Sequence, residues 1–125
     1  MQDSPTYDDV VKEIVKVFSE KIAQARSHQI NDIILDPGFG FGKTIEHNYT
    51  ILKHLELFKM LDYPLLAGVS RKSMIYKVLE TSPQKALNGT SVLHTIALQN
   101  GASILRAHDV KEAMECVKLV GMLGN

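Results

Sequence analysis

Three short stretches hold the side chains best suited to chemistry: DPGFGFGKT at residues 36–44, SRKS at 70–73 and RAHD at 106–109. Asp36 offers a carboxylate that can accept paired N–H donors from a flat heterocycle. Lys72, Arg106 and His108 can hold anionic oxygens, Arg106 through a planar fork. The N–H groups after Ser70 add anion-binding capacity at an expected helix start. Glycines at 38, 40 and 42 permit close backbone approach or positive φ. Phe39 and Phe41 flank Gly40, so that one can pack inward while the other lines a ligand wall. The set suits a ligand that combines a polar ring with a diphosphate.

Each member also has a plainer reading. Asp36 can cap the Pro-Gly turn, Lys72 can lie solvated on a helix surface, His108 can sit in a loop, and both phenylalanines can be loop packing. The glycine stretch also imitates a nucleotide phosphate loop. That motif needs a glycine five places before the Gly of Gly-Lys-Thr, and Pro37 stands there. Proline has no N–H to give a phosphate, so the strict motif fails. No zinc spacing occurs, and His28, His47, His54 and His94 are scattered and read as structural or surface groups. Cys116, the sole cysteine, cannot form an internal disulfide and reads as buried helix filler.

The elements that must position these groups follow from periodicity. Residues 8–25 predict an amphipathic helix through Val10, Val11, Ile14, Phe18 and Ile22, with Thr6 and Asp9 as its start signal. DIILD at 32–36 predicts a buried strand stopped by Pro-Gly. Residues 48–60 predict a helix, 64–69 a second strand, and the segment from Arg71 a short helix capped by Ser70. Ser82-Pro83 opens a further short turn. Residues 89–100 predict a helix closed by Gly101, residues 102–107 a third strand, and 110–121 a last helix with Asp109 and Glu112 as capping pair. One helix followed by three strand–helix units implies a parallel sheet, its strands apolar because both faces are covered. In such folds ligands bind beyond the carboxyl ends of the strands. Asp36, the SRKS segment and the Arg106–Asp109 segment all fall there.

The bulk properties bound the function. A length of 125 residues with 45% hydrophobic content suits one domain with a real core. Lys+Arg and Asp+Glu are 14 each, which gives no electrostatic argument for nucleic acid. No apolar run reaches the ~18 residues of a membrane span, and the polar start is unlike a secretory signal, so a cytoplasmic location is expected.

The blocks DPGFGFGKT, LLAGVSRKSMI and ILRAHDVKEA, in this order and spacing, resemble the dihydropteroate synthase family of folate biosynthesis. The likeness extends over essentially the whole chain. It implies an α/β fold: part of a TIM-type (β/α)8 barrel, with residues 1–125 as its C-terminal portion, about three parallel strands with their helices, and an N-terminal portion missing. The family condenses (7,8-dihydropterin-6-yl)methyl diphosphate with 4-aminobenzoate to 7,8-dihydropteroate and diphosphate.

By that resemblance Asp36 binds the aminopyrimidine edge of the pterin, and Lys72 its carbonyl and ring nitrogen. Arg106 flanks the pterin and holds anionic oxygen. His108 holds the leaving diphosphate. Ser73 and the helix start after Ser70 lie near the aminobenzoate carboxylate, Phe41 lines the aminobenzoate side where sulfonamides compete, and Gly40 counts among the substrate-binding residues. Lys72, Arg106 and His108 are the implied catalytic groups, acting by electrostatic stabilisation and positioning. Mg2+ is expected with the diphosphate, its principal protein ligand outside these residues. A homodimer through the late helices is expected of the full enzyme, and little or no turnover from this piece alone. Two rivals remain: a pterin domain of a methyltetrahydrofolate-dependent methyltransferase, and a small non-catalytic module binding a phosphorylated ligand or a partner chain.

Overall fold

A computed structural model describes residues 7–40 and 42–124. Thr6 and Phe41, each given a role above, lie outside the described residues. The first helix, α1 (Tyr7–Ser27), covers the predicted span and more. Its apolar stripe faces the core, with Val11 buried and Val10, Ile14, Phe18 and Ile22 packed against the same cluster. Phe18 meets Phe58 edge to face, ring centroids 5.7 Å apart.

The predicted helix over 48–60 starts earlier and is broken. Thr44 caps α2 (Ile45–Lys53) by accepting from the His47 N–H at 3.0 Å. At His54 the backbone leaves helical geometry, and a tighter 3-10 turn, Leu55–Leu61, follows. Ile51, Leu52, Leu55 and Phe58 are all buried nonetheless. A 3-10 turn holds three residues per turn instead of 3.6, so this change of winding keeps Leu55 and Phe58 on the inward side. Burying such side chains stabilises by roughly 1.5–3 kcal/mol each.

The sheet is smaller than expected. Two paired strands are present among the described residues, β1 (Leu66–Ala67) and β2 (Ile104–Leu105), parallel with Leu66 opposite Ile104 and Ala67 opposite Leu105. The predicted first strand, 32–36, is reduced to an isolated parallel bridge between Leu35 and Leu65. The Leu35 N–H donates to Pro64 O at 2.9 Å and Leu35 O accepts from Leu66 N–H at 2.7 Å. Pro37 then has no N–H to continue the ladder. The strands are also not uniformly covered: Leu66, Ile104 and Leu105 are half-buried and Ile34 is exposed.

After β1 the expected short helix is a single turn, α3 (Ser73–Tyr76), whose cap position is Lys72 and not Ser70. A 3-10 turn at Pro83–Lys85 follows, as Ser82-Pro83 suggested. Helix α4 (Leu87–Gln99) ends where Gly101, at φ +110°, reverses the chain and lets the Ala102 N–H bond Ala97 O at 2.9 Å. Helix α5 (Val110–Gly121) packs on α4, with Cys116 buried between them. None of the described helices is long and apolar enough to cross a membrane.

Candidate active site

Three segments leave the sheet at the same end: Asp36 after Leu35, Gly68–Ser73 after β1, and Arg106–Asp109 after β2. Between the last two lies a cleft of about 510 Å³ lined by Gly68, Ser70, Lys72, Arg106 and His108. Its floor depends on Gly68. A Cβ placed there would come within 3.7 Å of Lys72 Nζ and 3.8 Å of Arg106 Cβ. A larger side chain would therefore fill the space between the two cations.

Lys72 is not the solvated surface lysine of the plain reading. Its Nζ donates to Phe39 O at 2.7 Å, tying β1's exit to the glycine loop. Burial pushes its pKa below the ordinary lysine value. Asp36 opposes that shift, while Arg106 and Lys43 add to it. These four groups therefore share one electrostatic neighbourhood.

Asp36 is exposed and does cap its turn, since its Oδ1 accepts from the Gly38 N–H at 2.9 Å. That bond engages one carboxylate oxygen and fixes the group's direction. Gly38, Gly40 and Gly42 all take positive φ, at 73°, 92° and 69°. The loop is held from several sides: Lys43 Nζ donates to Gly38 O at 2.8 Å and the Gly40 N–H to buried Asn48 Oδ1 at 2.7 Å. Phe39 is the phenylalanine that packs inward, at 2% exposure. A second hollow, also about 510 Å³, lies against Phe39, Gly40, Lys72 and Ser73. Lys72 thus borders both spaces.

The first two N–H groups after Ser70, where anion-binding capacity was expected, are already engaged. The Arg71 N–H donates to Thr90 Oγ1 at 3.0 Å and the Lys72 N–H to Val69 O at 3.2 Å. Asp109, expected to cap α5 with Glu112, makes no side-chain cap bond. Its carboxylate instead takes the Arg71 guanidinium through two bonds, Nε to Oδ2 at 2.9 Å and Nη2 to Oδ1 at 3.0 Å. That fork holds the Asp109 carboxyl below its ordinary range and raises Arg71. Arg71 Nη1 also donates to the Pro83 and Gln84 carbonyls at 2.7 and 3.1 Å. The guanidinium beside the cleft is therefore committed to structure, which leaves Lys72, Arg106 and His108 to face a ligand. Sequence reasoning missed Gly68, Asn48 and this division of labour. A glycine inside a predicted strand, which often marks a close approach, was the available signal for Gly68.

The arrangement can hold an anion between Lys72, Arg106 and His108 while Asp36 accepts hydrogen bonds from a neighbouring ring. No group of three His, Cys, Asp or Glu able to hold a metal occurs among the described residues.

A family model for pterin binding enzymes matches residues 1–108. The dihydropteroate synthase of Escherichia coli K12 is 45% identical over 122 residues, covering 96% of this chain and 43% of that protein. That of Bacillus subtilis is 36% identical over 121 residues, covering 95% of this chain and 42% of that protein. Among solved structures, the Yersinia pestis dihydropteroate synthase with a sulfonamide drug complex superposes with a TM-score of 0.89. It is 41% identical and covers 98% of this chain and 45% of that one. The Coxiella burnetii dihydropteroate synthase in complex with pteroic acid gives 0.92 at 36% identity, covering 96% of this chain and 46% of that one. The chain spans less than half the length of these relatives.

Proposed function

The chain belongs to the pterin binding enzyme family, and from that premise we propose that it supplies the later strand ends of a dihydropteroate synthase site, within the C-terminal portion of a (β/α)8 barrel. The whole enzyme then joins 4-aminobenzoate to (7,8-dihydropterin-6-yl)methyl diphosphate. The observation that carries the reading is the grouping at one end of the sheet: Lys72, Arg106 and His108 line one cleft with Gly68, and Asp36 acts electrostatically on Lys72.

In this reading Asp36 accepts from the aminopyrimidine edge with the oxygen that the Gly38 turn does not use. Lys72, directed by Phe39 O, contacts the pterin carbonyl and ring nitrogen. Arg106 and His108 hold the diphosphate as the methylene carbon–oxygen bond breaks and the electron pair leaves with it. The resulting pterin methylene cation is then attacked by the arylamine, which gives up a proton. The protein's part is positioning and charge stabilisation. Ser73 and Gly40, which line the second hollow, border the aminobenzoate side, where sulfonamides would compete, and the resemblance assigns Phe41 to the same substrate. Magnesium is proposed to enter with the diphosphate. The described residues contain no donor cluster built for it, so no step here runs through it.

The same reading makes α4 and α5 the homodimer surface of the whole enzyme. Val92, Leu119 and Leu123 line an apolar groove between these helices and are 51%, 71% and 65% exposed. A cytoplasmic setting suits folate synthesis.

The test is calorimetric titration of the chain with a dihydropterin diphosphate analogue and magnesium. Saturable binding that Asp36→Asn weakens by roughly tenfold or more is expected, as for loss of a charged hydrogen-bond acceptor. Binding indifferent to Asp36→Asn would overturn the assignment. No binding by a folded sample would deny a pterin half-site to these strand ends.

A further inference from the structure

His108 and Ser70 meet twice across the cleft. Ser70 Oγ lies 2.7 Å from His108 Nδ1, and the His108 backbone N–H donates to the same oxygen at 3.2 Å. Ser70 is 6% exposed, so its hydroxyl proton cannot go to bulk water at little cost. Among the described residues, His108 Nδ1 is the one acceptor within reach of that hydroxyl. Had Nδ1 carried the proton, Ser70 Oγ would accept twice and leave its own O–H buried and unmatched, which is costly. The satisfied arrangement has the Ser70 O–H donating to Nδ1.

We propose that Ser70 is a positioning residue that fixes neutral His108 as its Nε2–H tautomer and so presents a donor, not an acceptor, to an anion in the cleft. The ring nitrogens have distinct roles, and the bond made by one sets the proton on the other. The Arg71–Asp109 fork stabilises the geometry. Arg71 follows Ser70, Asp109 follows His108, and the two contacts form successive rungs between the same segments. Arg71 sits at φ +55°, a conformation non-glycine residues rarely adopt. This turns its side chain toward Asp109 while Lys72, the next residue, reaches to Phe39 O. What the Nε2–H serves rests on the proposed diphosphate site; the tautomer itself does not.

The experiment is nitrogen NMR of the imidazole rings of the labelled chain in alkaline buffer, with His108→Asn used to assign the signal. The expected result is a pyridine-type Nδ1 and a pyrrole-type Nε2 for His108. Ser70→Ala should introduce a measurable Nδ1–H fraction, and Ser70→Thr should restore the original pattern. A protonated Nδ1 in the unaltered chain would overturn the proposal, even if Ser70→Ala failed to fold. So would an unchanged tautomer in folded Ser70→Ala. Titration with inorganic diphosphate separates the two readings. A roughly fivefold loss of affinity in Ser70→Ala, the usual size for one hydrogen bond, supports the role assigned to the donor. A Ser70-dependent tautomer without diphosphate binding would sustain this inference and overturn the diphosphate site.

Discussion

On one wall of the site, residues 68–73 and 106–109 line the cleft and are joined side chain to side chain, Ser70 with His108 and Arg71 with Asp109. On the other, residues 36–44 are shaped by glycines at positive φ and held by bonds to the backbone from Asp36, Asn48, Lys43 and Lys72. The first wall is polar cross-bracing between two segments that no backbone ladder joins beyond Arg106. The second is a folded loop pinned by one buried ring, Phe39. Both hold charged groups in place, but they should fail differently. A loop anchored in the core fails with the fold, whereas cross-bracing at a surface can loosen while the fold persists.

The largest expected effect tests the second wall. Phe39→Ala should cost roughly 3–5 kcal/mol, the usual range for a buried Phe truncated to Ala. Urea denaturation followed by circular dichroism measures it. A loss below about 1 kcal/mol would mean that the loop is held by its hydrogen bonds and that the ring is incidental.

An intermediate effect lies behind the first wall. His94 on α4 is 2% exposed, and its Nε2 has no hydrogen-bond partner among the described residues. Burial pushes its pKa below the ordinary 6.5, and Asp109 partly offsets this. The unfolded chain therefore takes up the proton first as pH falls. Stability should be highest above pH 6.5, decline from there through the folded-state value, and then level off. Denaturation midpoints measured across this range should fall in the natural chain and stay flatter in His94→Gln. Parallel curves would remove His94 as the source.

The smallest effect should come from Arg71→Lys. A lysine cannot make the planar two-bond fork to Asp109 or keep both carbonyl contacts. Global stability should change little, because the pair is only partly buried, its side chains 22% and 23% exposed. Amide exchange should quicken at 106–109 while the Gly38 and Gly40 amides keep their protection. Faster exchange on both walls together would show that they are one unit and erase the contrast.

How far the sequence could be read follows the same division. Helices α1, α4 and α5 were legible because each repeats apolar residues at helical spacing over several turns. The strands were legible as apolar runs but not as ladders, since pairing depends on neighbours distant in the chain. Leu35 keeps only a bridge because Pro37 follows it so closely. Ser70 and Asp109 were read as helix caps from their types and positions. Each instead spends its side chain on a residue 38 positions away. No local rule registers such competition.

The residue types at the strand ends, Asp36, Lys72, Arg106 and His108, were set by sequence alone, as was their order along the chain. A parallel α/β pattern brings strand carboxyl ends together, so their meeting was implied as well. Tertiary structure decided which cation is committed and which faces the cleft. Arg71 and Lys72 are adjacent and both positive, and composition does not tell them apart. Only the fold places Asp109 and two carbonyls around one and Phe39 O beside the other. Hydrogen bonds across long sequence separations exist only once the backbone has closed the distance, and they alone assign the donors.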